Sequence, residues 1–129
     1  MMRIAFVLLA ATVAMPAAPA FAQSGDDICD ILTDEVRTAN QEVPLMVDDY
    51  TREDGTLVSC SDKTVNTKLT VVVASSGLPA GWREQRQNEL NALYCEDELT
   101  ADGMSEGWTF TQTIAMPDGT SLTLKAVCE

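Results

Sequence analysis

The side chains able to do chemistry in this 129-residue chain are four cysteines and twenty Asp or Glu, with no histidine among them. Cys29, Cys60, Cys95 and Cys128 are separated by 31, 35 and 33 residues. No C-x-x-C pair occurs, so a thioredoxin-like redox centre has no support. The spacings also lack the paired knuckles of a structural zinc site. Four cysteines in an exported domain of this size are most simply two disulfides.

Without histidine, Ser-His-Asp and Cys-His catalysis and H-E-x-x-H zinc hydrolysis are excluded. No glycine-rich loop resembles a phosphate or dinucleotide cradle, and no Ser-Lys arrangement of the S-x-x-K type is present. Two acidic clusters are left. Asp48-Asp49 and Glu53-Asp54 flank Tyr50 and Arg52. Two such carboxylates facing each other could run a glycosidase-like hydrolysis, one protonating the leaving group and the other acting as base or nucleophile. In so acidic a chain, however, clusters are expected with no chemistry attached. The second cluster is Glu96, Asp97, Glu98 and Asp102 ahead of Gly103. Oxygen ligands suit calcium, but the spacing does not match an EF-hand loop. A solvated loop ending a helix is the plainer reading, although carboxylates oppose the dipole at a helix C-terminus. That mismatch keeps a calcium-dependent structural protein among the alternatives. The residues thus predict no catalytic, cofactor-binding or metal-binding set.

The elements that must position these residues begin after a leader. Arg3, the apolar run Ile4 to Met15 and the segment Ala20-Phe21-Ala22 have the three-part pattern of a secretory signal peptide. The expectation is a leader over residues 1–22 and one disulfide-stabilised domain over 23–129. That domain carries twenty acidic and seven basic side chains, a formal charge of −13. Nucleic acid and anionic lipid are therefore disfavoured partners, and no membrane association is expected after cleavage.

Within the domain, Ile28, Ile31, Leu32, Val36 and Ala39 form an apolar stripe for a first helix ending before Pro44. From Leu45 to Arg52 the residues alternate as a strand, and KLTVVVA is a second strand. Asp54-Gly55 is either a tight turn or a bulge in one long strand. A second helix starts after Pro79, runs through WREQRQNELNALYCEDEL and breaks around DELTADGM. Trp108, Phe110, Gln112 and Ile114 alternate with threonines up to Pro117-Asp118-Gly119. Leu122, Leu124, Ala126 and Cys128 then alternate on the return strand, completing a hairpin. The order is helix–β–β–helix–β–β. It predicts a two-layer α+β domain, an antiparallel sheet with its helices on one face.

This order pairs Cys95 with Cys128, because the closing hairpin returns its last residues to the end of the second helix. It pairs Cys29 with Cys60 provided Asp54-Gly55 is not the hairpin turn. Trp108 and Phe110 belong to the core. Tyr50, Arg52 and Trp82 remain as a candidate partner surface, with aromatic anchors beside a charge.

The letters Pro44, Met46, Val47, Asp48, Thr51, Arg52 and Asp54, followed later by Gly107, Trp108, Asp118, Gly119 and Cys128, resemble a group of small exported bacterial proteins. The resemblance implies a helix-and-hairpin fold and no catalytic residue. Cys29 and Cys60 depart from that pattern. Together these readings predict a periplasmic or extracellular protein, non-enzymatic, that binds or stabilises another envelope or secreted component. A small carboxylate-dependent hydrolase is the alternative.

Overall fold

The computed structural model describes residues 25–128, so the leader expected over 1–22 lies outside the described residues. Helix α1, Gly25–Asn40, buries Ile28 and Leu32 and half-buries Val36 and Ala39. Those positions recur at helical spacing along one side. Ile31 falls on the flank of this stripe and is 38% exposed, not part of the buried face. The helix end is clamped to the sheet at two points. Asn40 Nδ2 donates to the carbonyl of Thr56 at 2.9 Å, and the Thr56 amide donates to Asn40 Oδ1 at 2.9 Å.

The segment expected to run as one strand from Leu45 to Arg52 is interrupted. Strand β1, Leu45–Met46, is followed by a reversal into β2, Thr51–Ser59. The Asp48 carboxylate accepts the Tyr50 amide at 2.7 Å, and the Val47 amide bonds the Thr51 carbonyl at 2.9 Å. An aspartate side chain that captures a backbone N–H two residues on closes a turn that alternation does not reveal. Asp54-Gly55 is the bulge, since pairing with β3 shifts register between Glu53 and Gly55. Gly55 has φ +149°, a conformation that favours glycine. The hairpin turn lies at Cys60–Lys63, between β2 and β3, Thr64–Val71.

Helix α2, Trp82–Cys95, follows a short 3₁₀ turn at Ser75–Gly77. The DELTADGM segment, expected to be a break, forms a further helix, α3, Glu98–Ser105. Asp97 caps it, its side chain accepting the Leu99 amide at 3.0 Å. Of the acidic residues that looked misplaced at a helix C-terminus, Asp97 and Glu98 therefore sit at the favourable N-terminus of the next helix. The closing hairpin is β4, Thr109–Ala115, and β5, Ser121–Lys125, turned by Asp118 and Gly119, the latter with φ +91°.

The five strands lie in sequence order. Neighbours pair antiparallel except β3 and β4, which are parallel from Thr64↔Thr109 to Thr70↔Ala115. The wholly antiparallel sheet expected from the order of parts is corrected at that pair. A connection that contains α2 and α3 carries the chain back to its starting end, which makes the next strand parallel. The helices cover one face, giving the two-layer α+β domain read from the sequence. On the other face Asn66 Nδ2 donates to the hydroxyls of Thr111 and Thr113 at 2.7 and 3.0 Å.

The core joins Ile28 and Leu32 to Val65, Leu69, Val71, Leu90, Phe110, Ile114 and Leu124. Tyr94 and Phe110 stack with ring centroids 4.7 Å apart. Disulfides link Cys29 to Cys60 and Cys95 to Cys128, with Cα–Cα distances of 5.7 and 5.5 Å. The first ties α1 to the β2–β3 turn. The second ties the last residue of α2 to the chain just past β5.

Candidate functional site

The inner face of the sheet changes character along its width. On β4, β5 and the residue just past β5 it presents Phe110, Ile114, Leu124 and Ala126, all buried. Where β2, β3 and β4 meet at mid-height, the register brings Thr56 beside Thr67 and Thr67 beside Gln112. The two threonine hydroxyls bond each other at 2.9 Å. Gln112 is only 4% exposed and its Oε1 has no hydrogen-bond partner. A cavity of about 70 Å³ lies above this polar row, walled by Leu32 and Val36 of α1 and by Leu93 and Tyr94 of α2. A buried carbonyl oxygen without a donor loses its solvation with nothing in return, at roughly 1–3 kcal/mol. Gln112 is thus an acceptor waiting at the floor of a mostly apolar cleft.

Arg86 enters the same cavity from α2 and is 1% exposed. Its Nη1 donates to Glu89 Oε1 at 2.6 Å and to Asp48 Oδ2 at 3.3 Å. Two carboxylates from different elements are what a guanidinium needs to stay charged away from water. Its Nε has no partner. Glu53 of β2 is buried in the same lining.

Glu35 lines the cavity on the α1 side and forms no hydrogen bond or ion pair among the described residues. Burial, then the neighbouring charges of Asp97 and Asp34, raise its carboxyl from 4.5 to about 7. Burial also raises the Asp97 carboxyl, opposed by its bonds to the amides of Leu99 and Thr100. The cleft therefore holds an apolar wall, an unpartnered acceptor and a carboxylate without a cation.

The residues singled out as a partner surface do not form one exposed patch. Trp82, at 4% exposure, belongs to the core. It begins α2 just after Gly81, whose backbone is left-handed at φ +83°. Tyr50 is half-buried against the core. Arg52 is spent on a neighbour, its Nε donating to Asp54 Oδ1 at 2.6 Å, while Thr70 Oγ1 donates to Asp54 Oδ2 at 2.6 Å. These bonds hold the Asp54 carboxyl below its usual range despite some burial.

The acidic cluster read as a possible hydrolase pair is likewise dispersed. Glu53 is buried on the helix-covered face, Asp54 is exposed beside Arg52, and Asp48 is bound to Arg86. Among the described residues, no group of three or more His, Cys, Asp or Glu is placed to hold a metal ion. No described helix is long and apolar enough to cross a membrane.

Sequence reasoning missed Glu35, Arg86 and Gln112. All three left a trace. Gln112 interrupts an otherwise apolar strand face between Phe110 and Ile114, and Glu35 stands three and seven residues from Leu32 and Ile28 on the buried side of α1. Arg86 stands four residues after Trp82 and four before Leu90, on the apolar side of α2.

No family model and no curated protein matches this chain. Two solved structures share its fold. A candidate secreted protein of Pseudomonas aeruginosa matches at a TM-score of 0.59 and 13% identity, over 81% of this chain and 94% of that one. The pilotin of the Vibrio vulnificus type 2 secretion system matches at a TM-score of 0.56 and 11% identity, over 79% of this chain and 91% of that one. At such identities the likeness is one of fold. It agrees with the helix-and-hairpin architecture that the sequence resemblance implied.

Proposed function

We propose that this protein is an exported, non-enzymatic module that binds or stabilises another envelope or secreted component, and that the component docks in the cleft between α1 and α2. One observation carries the reading. Two buried, unpartnered polar atoms, Gln112 Oε1 and Arg86 Nε, belong to residues lining an apolar cavity whose two helical walls are each tied down by a disulfide. Such polar atoms are normally satisfied, and a preformed concave site is where ligands bind. The leader-like N-terminus and the two disulfides support a periplasmic or extracellular setting. The fold shared with a secretion-system pilotin and with a candidate secreted protein supports it further.

The test is capture from an envelope extract with the oxidised mature protein and with Val36→Trp, which fills the cleft from its α1 wall. Circular dichroism checks that the variant folds. Loss of a specific partner in the folded variant is the expected result. Equal capture by both proteins places the docking surface elsewhere.

A further inference from the structure

Resting on that reading of the cleft, we infer that its occupant is a lysine side chain of the partner, its stem along Leu32, Val36 and Leu93 and its ammonium between Glu35 and Gln112.

The match is chemical. The cleft holds two acceptors that lack donors, beside one buried donor without a partner, Arg86 Nε. Glu35 has no hydrogen bond or ion pair among the described residues, and Gln112 Oε1 is buried with none. Both residues line one cavity of about 70 Å³. A lysine ammonium supplies three donors and no acceptor, as a compact charge on a flexible apolar stem. It therefore satisfies both groups while its methylenes meet aliphatic walls. A purely apolar occupant would leave both acceptors unmet, and an anion, though it could accept from Arg86 Nε, would leave them unmet and face the Glu35 carboxylate.

Charge points the same way. Asp34 lies beside Glu35 on α1, Asp97 faces it from the start of α3, and Glu53 and Arg86 line the cavity from β2 and α2. The one cation of this set, Arg86, is already engaged by Glu89 and Asp48. The remaining field is negative, within a domain of formal charge −13. An incoming ammonium would favour the ionised form of Glu35 and lower its pKa from about 7. Affinity should accordingly rise as pH increases from 6 to 8, a range in which lysine stays charged.

The probe is the tripeptide acetyl-Leu-Lys-Leu-amide, titrated to millimolar concentration against the isotope-labelled oxidised protein and followed by NMR. Controls are the Nε-acetylated and norleucine tripeptides and pentylammonium. The expected result is a saturable shift of the Gln112 side-chain amide by the lysine peptide, with a fall in the Glu35 pKa. Glu35→Gln should weaken binding at least about tenfold and abolish its pH dependence. Equal shifts from the acetylated or norleucine peptide, or an unmoved Gln112, overturn the proposal. Binding of pentylammonium without the peptide also overturns it and assigns a free amine instead. The two readings fail separately. If the peptide does not bind but Val36→Trp still loses its partner, docking in the cleft stands and lysine recognition falls. If Val36→Trp keeps its partner, docking in the cleft falls.

Discussion

The two halves of the molecule follow one plan, a helix tied by a disulfide to a pair of strands, and among the described residues each buries four polar side chains, yet the residues set against the two helices differ. In the second half, Leu90 and Tyr94 of α2 join Phe110, Ile114 and Leu124 of β4 and β5 in an apolar core. In the first half, α1 rests on β2, whose inward side chains include Thr51, Glu53 and Thr56. Close-packed apolar side chains interdigitate and exclude space. Short hydroxyls and a carboxylate opposite a helix cannot fill the gap as completely. The seam between the halves is where the cavity lies. The tightest apolar packing thus falls in the second half and the cavity at the seam, with each half braced by one disulfide.

The largest effect expected is on packing, and it should differ between the halves. Phe110→Ala removes a buried ring stacked on Tyr94 and should cost about 3–5 kcal/mol. Val36→Ala, on the half-buried wall of the cleft, should cost about 1 kcal/mol or less. Denaturant melts of both variants make the measurement, and equal losses would erase the distinction between a packed half and an open one.

Slightly smaller, and alike in both halves, is the loss of either bridge. The closed loops have sequence separations of 31 and 33. Chain entropy then assigns roughly 3.7 kcal/mol to each. In a domain of this size that lowers the midpoint by roughly ten degrees or more. Cys60→Ser and Cys128→Ser should therefore fall together in thermal melts of the oxidised proteins. A midpoint unchanged in either variant would show that its bridge does not brace the native fold.

The smallest expected effect sharpens the comparison at one residue. The folded-state pKa of Glu35 is raised from 4.5 to about 7. The native state then binds the proton more tightly than the unfolded chain does. This contribution is complete below about pH 4.5 and is lost as pH rises through 7. Allowing for solvent screening of a half-buried group, the loss is on the order of 1–2 kcal/mol. Glu35→Gln should remove that part of the decline between pH 5 and 8, read from denaturant melts at both values. A decline as steep in the variant would assign the pH dependence to other groups.

Much of the fold was readable because its signals are local. The stripe of α1, the alternation of β4 and β5 and the Pro117-Asp118-Gly119 turn each arise within a few residues. What failed depended on contacts across the chain. The turn after β1 is closed by the Asp48 side chain, and the direction of β4 depends on how the crossover returns. The acidic run after Cys95 was misread because a cap is recognised only when the next helix is seen. For the site, Gln112, Glu35 and Arg86 carried faint positional hints, but one carboxylate that pairs with Arg86, Asp48, lies 38 residues away.

By itself the sequence determined the two-layer α+β class, the order of parts and the cysteine pairs consistent with it. Periodicity and turn chemistry act at short range and survive without knowledge of the whole. Only the tertiary structure decided which polar residues are buried and where they converge. A carboxylate, an amide and a guanidinium are ordinary surface groups in a linear chain. They become a site when α1 and α2 are held over the junction of β2, β3 and β4, because the strand register and two disulfides set that geometry.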